Sequence, residues 1–130
     1  KRPRSDQKYF EILCLCLLQA GLSWSSIRNH WKKYKEGFCQ FDIHRLSRAR
    51  ASVLLKDPQV IKNSKKVEAI IHNAKEFEKI RREFGSFSNF LKTLSNRPSR
   101  EELFKSLSKK FKHIGPYTVE YYLHSVGYWK

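Results

Sequence analysis

The segment Gln19-Ala20-Gly21-Leu22-Ser23-Trp24 sets a wedge-sized leucine and a large flat indole beside a glycine, in a strongly basic chain. These residue types suit the handling of a DNA base. An apolar side chain can fill the gap that a displaced base leaves in a duplex, and an aromatic ring can stack on the base once it is out. Gly21 permits a sharp helix exit through positive φ, Ser23 can cap the next helix, and Trp24 then falls on that helix's first turn. The same run also makes an ordinary helix-turn-helix corner whose aromatic belongs to the core.

A further candidate is Lys109-Lys110-Phe111-Lys112-His113-Ile114-Gly115-Pro116-Tyr117-Thr118, where cations lead into a Gly-Pro turn that opens another helix. A helix start presents unpaired N–H groups and the positive end of its dipole, which together suit a phosphate. Pro116 at the first helical position gives up an N–H that no helix carbonyl would take. Phosphate binding and plain turn chemistry both fit these residues. His113 and His124 read as satisfied or exposed histidines rather than metal ligands, since no cysteine stands at helical spacing from either. Glu11 reads as a packing or charge-pairing residue.

The elements that must position these groups are helical throughout. The clearest repeat is Ser64 to Phe84, where Val67, Ile70, Ile71, Ala74, Phe77, Ile80 and Phe84 recur at threes and fours and Gly85 ends the run. Helices are also predicted from Ser5 or Asp6 through Ala20, from Ser23 through Tyr34, over a short turn opened by Asp42, and over Arg48 to Lys56 ahead of Pro58. Ser86 can cap a short helix holding Phe87, Phe90 and Leu91. Ser99 and Glu102 have capping-box spacing ahead of Leu103, Phe104 and Leu107. No alternation long enough for a sheet is present.

Composition narrows the partners. With 130 residues the chain fits one domain that can bury a core without staples. Its 27 Lys and Arg against 12 Asp and Glu give a formal charge of +15, which points to a polyanion such as nucleic acid. The clusters at 32–35 and 62–66 read as solvated helix faces. The apolar run from Ile12 to Leu18 is far short of a membrane span, and no signal-peptide pattern opens the chain, so an intracellular protein is expected. Cys14, Cys16 and Cys39 form neither a CxxC pair nor a disulfide framework and read as reduced thiols.

Tyr9 to Leu13, Gln19 to Trp24, Phe41-Asp42, Asp57 with Val60-Ile61, Lys66 to Asn73, Gly85 to Phe87 and Phe111 to Pro116 resemble, in order and spacing, the successive blocks of the DNA-3-methyladenine glycosylase I family. The resemblance runs from about Arg2 to Gly127. It implies an all-α fold of the helix-hairpin-helix superfamily in one domain over 1–130, with the hairpin motif at about 111–126. It also implies that Trp24 stacks on the extruded base, with Gln19 and Cys16 beside the pocket, and that Leu22 with Gly21 plugs the duplex. Lys112, His113, Ile114, Gly115, Tyr117 and Thr118 would grip the DNA backbone, with a monovalent cation possible at the hairpin.

The implied activity is monofunctional hydrolysis of the N-glycosidic bond of an alkylated purine, N3-methyladenine foremost, in double-stranded DNA. The chain would act as a monomer without a required cofactor. The alternatives are a glycosylase for another modified base, a non-catalytic DNA-binding protein, and a bare helical bundle whose charge serves only solubility.

Two departures accompany the resemblance. The family's base-reading glutamate, three residues before the glutamine, is Cys16 here, a weak acceptor that is largely uncharged at neutral pH. The family's four zinc ligands and an aromatic pocket residue correspond to positions before Lys1 and beyond Lys130. No residue is marked as a catalytic base.

Overall fold

A computed structural model describes residues 3–20, 22–95 and 100–127, and every regular element among them is helical. The first helix, α1 (Asp6–Gln19), opens on Ser5, whose hydroxyl accepts from the Lys8 N–H. Tyr9, Phe10, Leu13, Cys14, Cys16, Leu17 and Leu18 are buried on α1, so it runs through the middle of the molecule rather than along its surface. Helix α2 (Trp24–Gly37) opens on Ser23, whose Oγ accepts from the Ser26 N–H at 3.1 Å. Glu11 ties the two helices: burial raises its pKa, but hydrogen bonds from Lys8 and Lys35 outweigh that and hold it below its usual value.

Gly37 ends α2 where another chain segment passes. A Cβ there would stand 2.8 Å from the Val60 methyl and 3.0 Å from the Gln59 backbone, so only glycine allows the approach. Then Cys39, Gln40 and Phe41 take φ of 56°, 60° and 54°, a left-handed turn made without a glycine. Each such residue costs about 1 kcal/mol. The turn persists because Phe38 and Phe41 are buried and because the Gln7 amide donates to the Phe41 carbonyl and accepts from the Ile43 N–H. Helix α3 (Ile43–Ser47) starts from an Asp42 cap.

The helix expected over 48–56 is shorter, a single turn α4 (Ala51–Leu54). Arg50 is extended at φ −108°, ψ 131°, and the Lys62 ammonium takes the carbonyls of Leu55 and Asp57, both at 2.6 Å. Helix α5 (Ser64–Phe84) has the expected length and is capped by Asn63. Helices α6 (Phe87–Ser95), α7 (Arg100–Lys110) and α8 (Pro116–Ser125) complete the chain. The Ser99 capping box lies outside the described residues.

The core is aromatic. Phe77 and Phe87 stack at 4.3 Å, and Phe10 meets Phe77 edge-on at 5.2 Å. Such pairs add roughly 0.5–1.5 kcal/mol each beyond their area. Asp6 accepts from the Phe87 N–H at 3.0 Å and pairs with Arg81 at 3.2 Å, fastening α6 to the start of α1. Tyr122 donates to the Tyr9 carbonyl at 2.9 Å, fastening α8 to the same helix.

Candidate nucleic-acid interface

The C-terminal end of α1 carries the first half of the site. Its last carbonyls lack helix partners, and a buried lysine takes them: Lys66 Nζ donates to the Leu18 carbonyl at 2.9 Å and the Ala20 carbonyl at 2.8 Å. Lys66 is 5% exposed, and burial pulls its pKa down. The lysine cluster at 62–66, expected on a solvated face, therefore gives one member to the interior. Its cation also meets the negative end of the α1 dipole.

Beyond that anchor the chain turns tightly. The Leu22 N–H donates to the Gln19 carbonyl at 2.7 Å, and the Gln19 amide donates to the Leu22 carbonyl at 3.0 Å. The turn leaves the Leu22 side chain 38% exposed, an apolar prow at the surface. Gly21 lies outside the described residues. Trp24 follows at the head of α2 and stacks on Tyr121 of α8, with ring centroids 5.2 Å apart and an interplanar angle of 27°.

Between α1 and α8 lies a cleft of about 260 Å³ lined by Cys16, Gln19, Ala20, Tyr117, Thr118 and Tyr121. Cys16 forms its floor at 3% exposure. Burial pushes the thiol up to about 12, against a smaller opposing hydrogen bond from Ser125, so the floor is uncharged at neutral pH. A larger depression of about 540 Å³ opens among α5, α6 and α7 around His72, Glu83, Phe84 and Phe90. Size does not decide between them, because an extruded base needs a stacking ring and a phosphate anchor within reach, and the smaller cleft adjoins both.

The candidate phosphate anchor is the turn between α7 and α8. Phe111 and Ile114 are buried and pin it to the core, so Ile114 can offer a ligand only its backbone. His113 between them is exposed and left-handed at φ 64°. Asn73 of α5, 1% exposed, reaches over and holds the Lys112 backbone by both its N–H and its carbonyl. Gly115 caps α8, and a Cβ added there would meet nothing within 4 Å. Its φ of −85° suits any residue, so the fold itself does not demand glycine here. Lys112 is exposed beside the helix start, and Tyr117, 91% exposed, stands on the first turn. The helix-turn-helix unit thus runs from Arg100 to Ser125, its first helix lying ahead of the 111–126 span.

Lys66, Asn73 and Tyr121 shape this site without having been given a role in it by the sequence. Lys66 and Asn73 bound one block of the resemblance, and Asn73 is an amide set among Ile70, Ala74 and Phe77 on the apolar stripe of α5. Among the described residues no group of three or more His, Cys, Asp or Glu could hold a metal ion. No helix among them is long and apolar enough to cross a membrane.

A helical body that carries an apolar prow, an indole platform and a cleft beside the first turns of a helix opened by a Gly-Pro step has the architecture of a DNA glycosylase. A model of the methyladenine glycosylase family matches residues 1–130, and the chain belongs to that family. The DNA-3-methyladenine glycosylase of Haemophilus influenzae is 30% identical over 97% of this chain and 80% of its own length. Among solved structures, a glutamate-to-glutamine variant of 3-methyladenine DNA glycosylase I from Staphylococcus aureus superposes with a TM-score of 0.84 at 28% identity, covering 98% of this chain and 80% of that one. A tyrosine-to-phenylalanine variant of 3-methyladenine DNA glycosylase I in complex with 3-methyladenine gives the same TM-score of 0.84, at 28% identity over 98% of this chain and 80% of that one.

Proposed function

We propose that this chain is a monofunctional DNA glycosylase of base-excision repair that extrudes an alkylated purine, N3-methyladenine foremost, from double-stranded DNA and hydrolyses its N-glycosidic bond. The observation that carries the reading is the placement of Leu22, Trp24 and the Cys16 cleft beside the open N-terminus of α8. The backbone N–H groups of Gly115, Tyr117 and Thr118, with Lys112 and His113 alongside, take a phosphate. Leu22 enters the stack, and the base moves onto Trp24 with Gln19 steadying Leu22 through its backbone carbonyl.

The chemistry asks little of the protein. The alkylated ring is already cationic, so as its bond to the sugar breaks, the bonding pair stays with the ring and neutralises it. Water oxygen then bonds to the sugar carbon and sheds its proton to solvent. The protein contributes orientation and tighter binding of the extruded, departing state. Cys16 offers a neutral wall and a weak donor. No required cofactor enters the reading. A monovalent cation at the hairpin would serve DNA grip and takes no part in bond cleavage. The chain acts as a monomer.

The test is release of free base from methylated DNA, resolved by chromatography. Release of 3-methyladenine supports the reading, and its absence alongside salt-sensitive DNA binding removes it. The uncharged Cys16 floor favours one second reading, a DNA-binding module without chemistry. Cys16→Glu separates the two: gained or improved release marks a working pocket, and unchanged silence with intact DNA binding marks the module.

A further inference from the structure

One face of Trp24 is covered in the free protein. The Tyr121 ring lies on it at 5.2 Å and 27°, and the same ring lines the cleft with Cys16 and Gln19. A base held between two rings needs them about 7 Å apart, two van der Waals thicknesses of ~3.5 Å. The observed separation leaves no room for one. On that face, Tyr121 therefore stands where a stacked base would stand. It is also 50% exposed and projects from α8 four residues after Tyr117, which is 91% exposed, so its outer side opens to solvent rather than to packed core. With half its surface in solvent, the ring is not locked in place by packed core on every side, and χ1 has other staggered wells.

We propose that Tyr121 is a resident substitute for the base, a ring that covers Trp24 in the free protein and yields that face when a base arrives. The inference rests on the stacking role of Trp24 in the proposed function. Displacement of the ring weakens every base by the same factor, the inverse of the fraction of molecules whose indole is uncovered. A cationic alkylated purine gains more from an indole face than a neutral base does, and so retains useful affinity after that loss. An undamaged base, binding weakly to begin with, falls below it. Tyr121 thus acts through Trp24 as a positioning residue that sets the affinity a base must exceed to be held, equal for every base.

The experiment titrates free 3-methyladenine and free adenine into the wild-type protein, Tyr121→Ala, Tyr121→Leu and Tyr121→Phe by calorimetry, with base release from methylated DNA measured in parallel. Removing the ring in Tyr121→Ala tightens both bases by a common factor of up to about tenfold. Tyr121→Leu, which fills space on α8 without an aromatic face, shows the same gain should the alanine variant fold poorly. Tyr121→Phe keeps the ring and stays near wild type. Weaker binding by the alanine and leucine variants overturns the proposal, because Tyr121 is then a wall that the base leans on. Unchanged binding, with normal base release by wild type, overturns it while leaving the function standing. Absence of base binding in every protein together with absence of release overturns the function and this proposal with it.

Discussion

The amide of Asn73 holds both backbone groups of Lys112, accepting from its N–H at 2.8 Å and donating to its carbonyl at 3.2 Å. No other residue type of that size does both. The clamp keeps the α7–α8 turn in place although the next residue, His113, sits in the left-handed region at φ 64°. Asn73→Ala removes both bonds and strands two partly buried backbone groups. The expected loss is about 2–4 kcal/mol in urea unfolding, with weaker binding to DNA of any sequence. Asn73→Asp keeps the acceptor alone and falls between. A DNA affinity indifferent to both changes would show that the turn does not grip the backbone.

Gly115 gives the complementary test. Since a Cβ meets nothing within 4 Å, Gly115→Ala leaves thermal stability within ~0.5 kcal/mol of wild type. Any loss of DNA affinity then reports the approach of an external group. Adding Lys112→Ala lowers affinity for all sequences and reduces the slope of log affinity against log salt by about 1. A large drop in melting temperature for Gly115→Ala would contradict this account.

Trp24→Ala separates reading from gripping. The indole is partly exposed and stands at a helix start, so the variant folds and binds undamaged DNA nearly as wild type does. Release of base from methylated DNA is lost. Parallel losses of binding in Trp24→Ala and in the Lys112 and Gly115 double variant would dissolve the division of labour between platform and hairpin.

Alkaline pH destabilises the protein for a reason visible in its core. Burial pushes the thiols of Cys14 and Cys16 and the phenol of Tyr122 above their usual values, with Cys16 up to about 12 from 9.0. A group whose folded pKa is raised keeps its stabilising share below the unfolded value and loses it as pH climbs toward the folded one. Stability is therefore flat with respect to these groups below about pH 9 and falls from there toward pH 12. Each group contributes a slope of about 1.4 kcal/mol per pH unit. Denaturation midpoints measured from pH 8 to 11 should fall, and less steeply in Cys16→Ala. An equal slope in that variant would mean that the thiol titrates alike in both states.

The helices were legible wherever burial follows a repeat. The apolar stripe of α5 and the Ser5, Ser23 and Asp42 caps stand in the sequence because each depends on residues three or four apart. The left-handed turn at Cys39 to Phe41 was hidden, since no glycine marks it and its cause is a glutamine 34 residues away from Phe41. Lys66 was hidden for a related reason. In a run of lysines nothing local tells which ammonium will find two orphan carbonyls, and its partners lie 46 and 48 residues earlier. The QAGLSW run and the Gly-Pro turn named both halves of the candidate site. Their meeting through Tyr121 belongs to tertiary packing.

Lys66 and Asn73 stand on one helix, seven residues or close to two turns apart, so their anchor points are separated by about 10 Å along the axis of α5. One fastens the loop that carries Leu22 and Trp24, and the other fastens the turn at the head of α8. A continuous helix between two such fastenings behaves as a caliper. Under the proposed function it fixes the reach from the gripped phosphate to the probed nucleotide, so that the strand offset at which a lesion is sampled would be a length built into α5 and independent of the sequence being scanned.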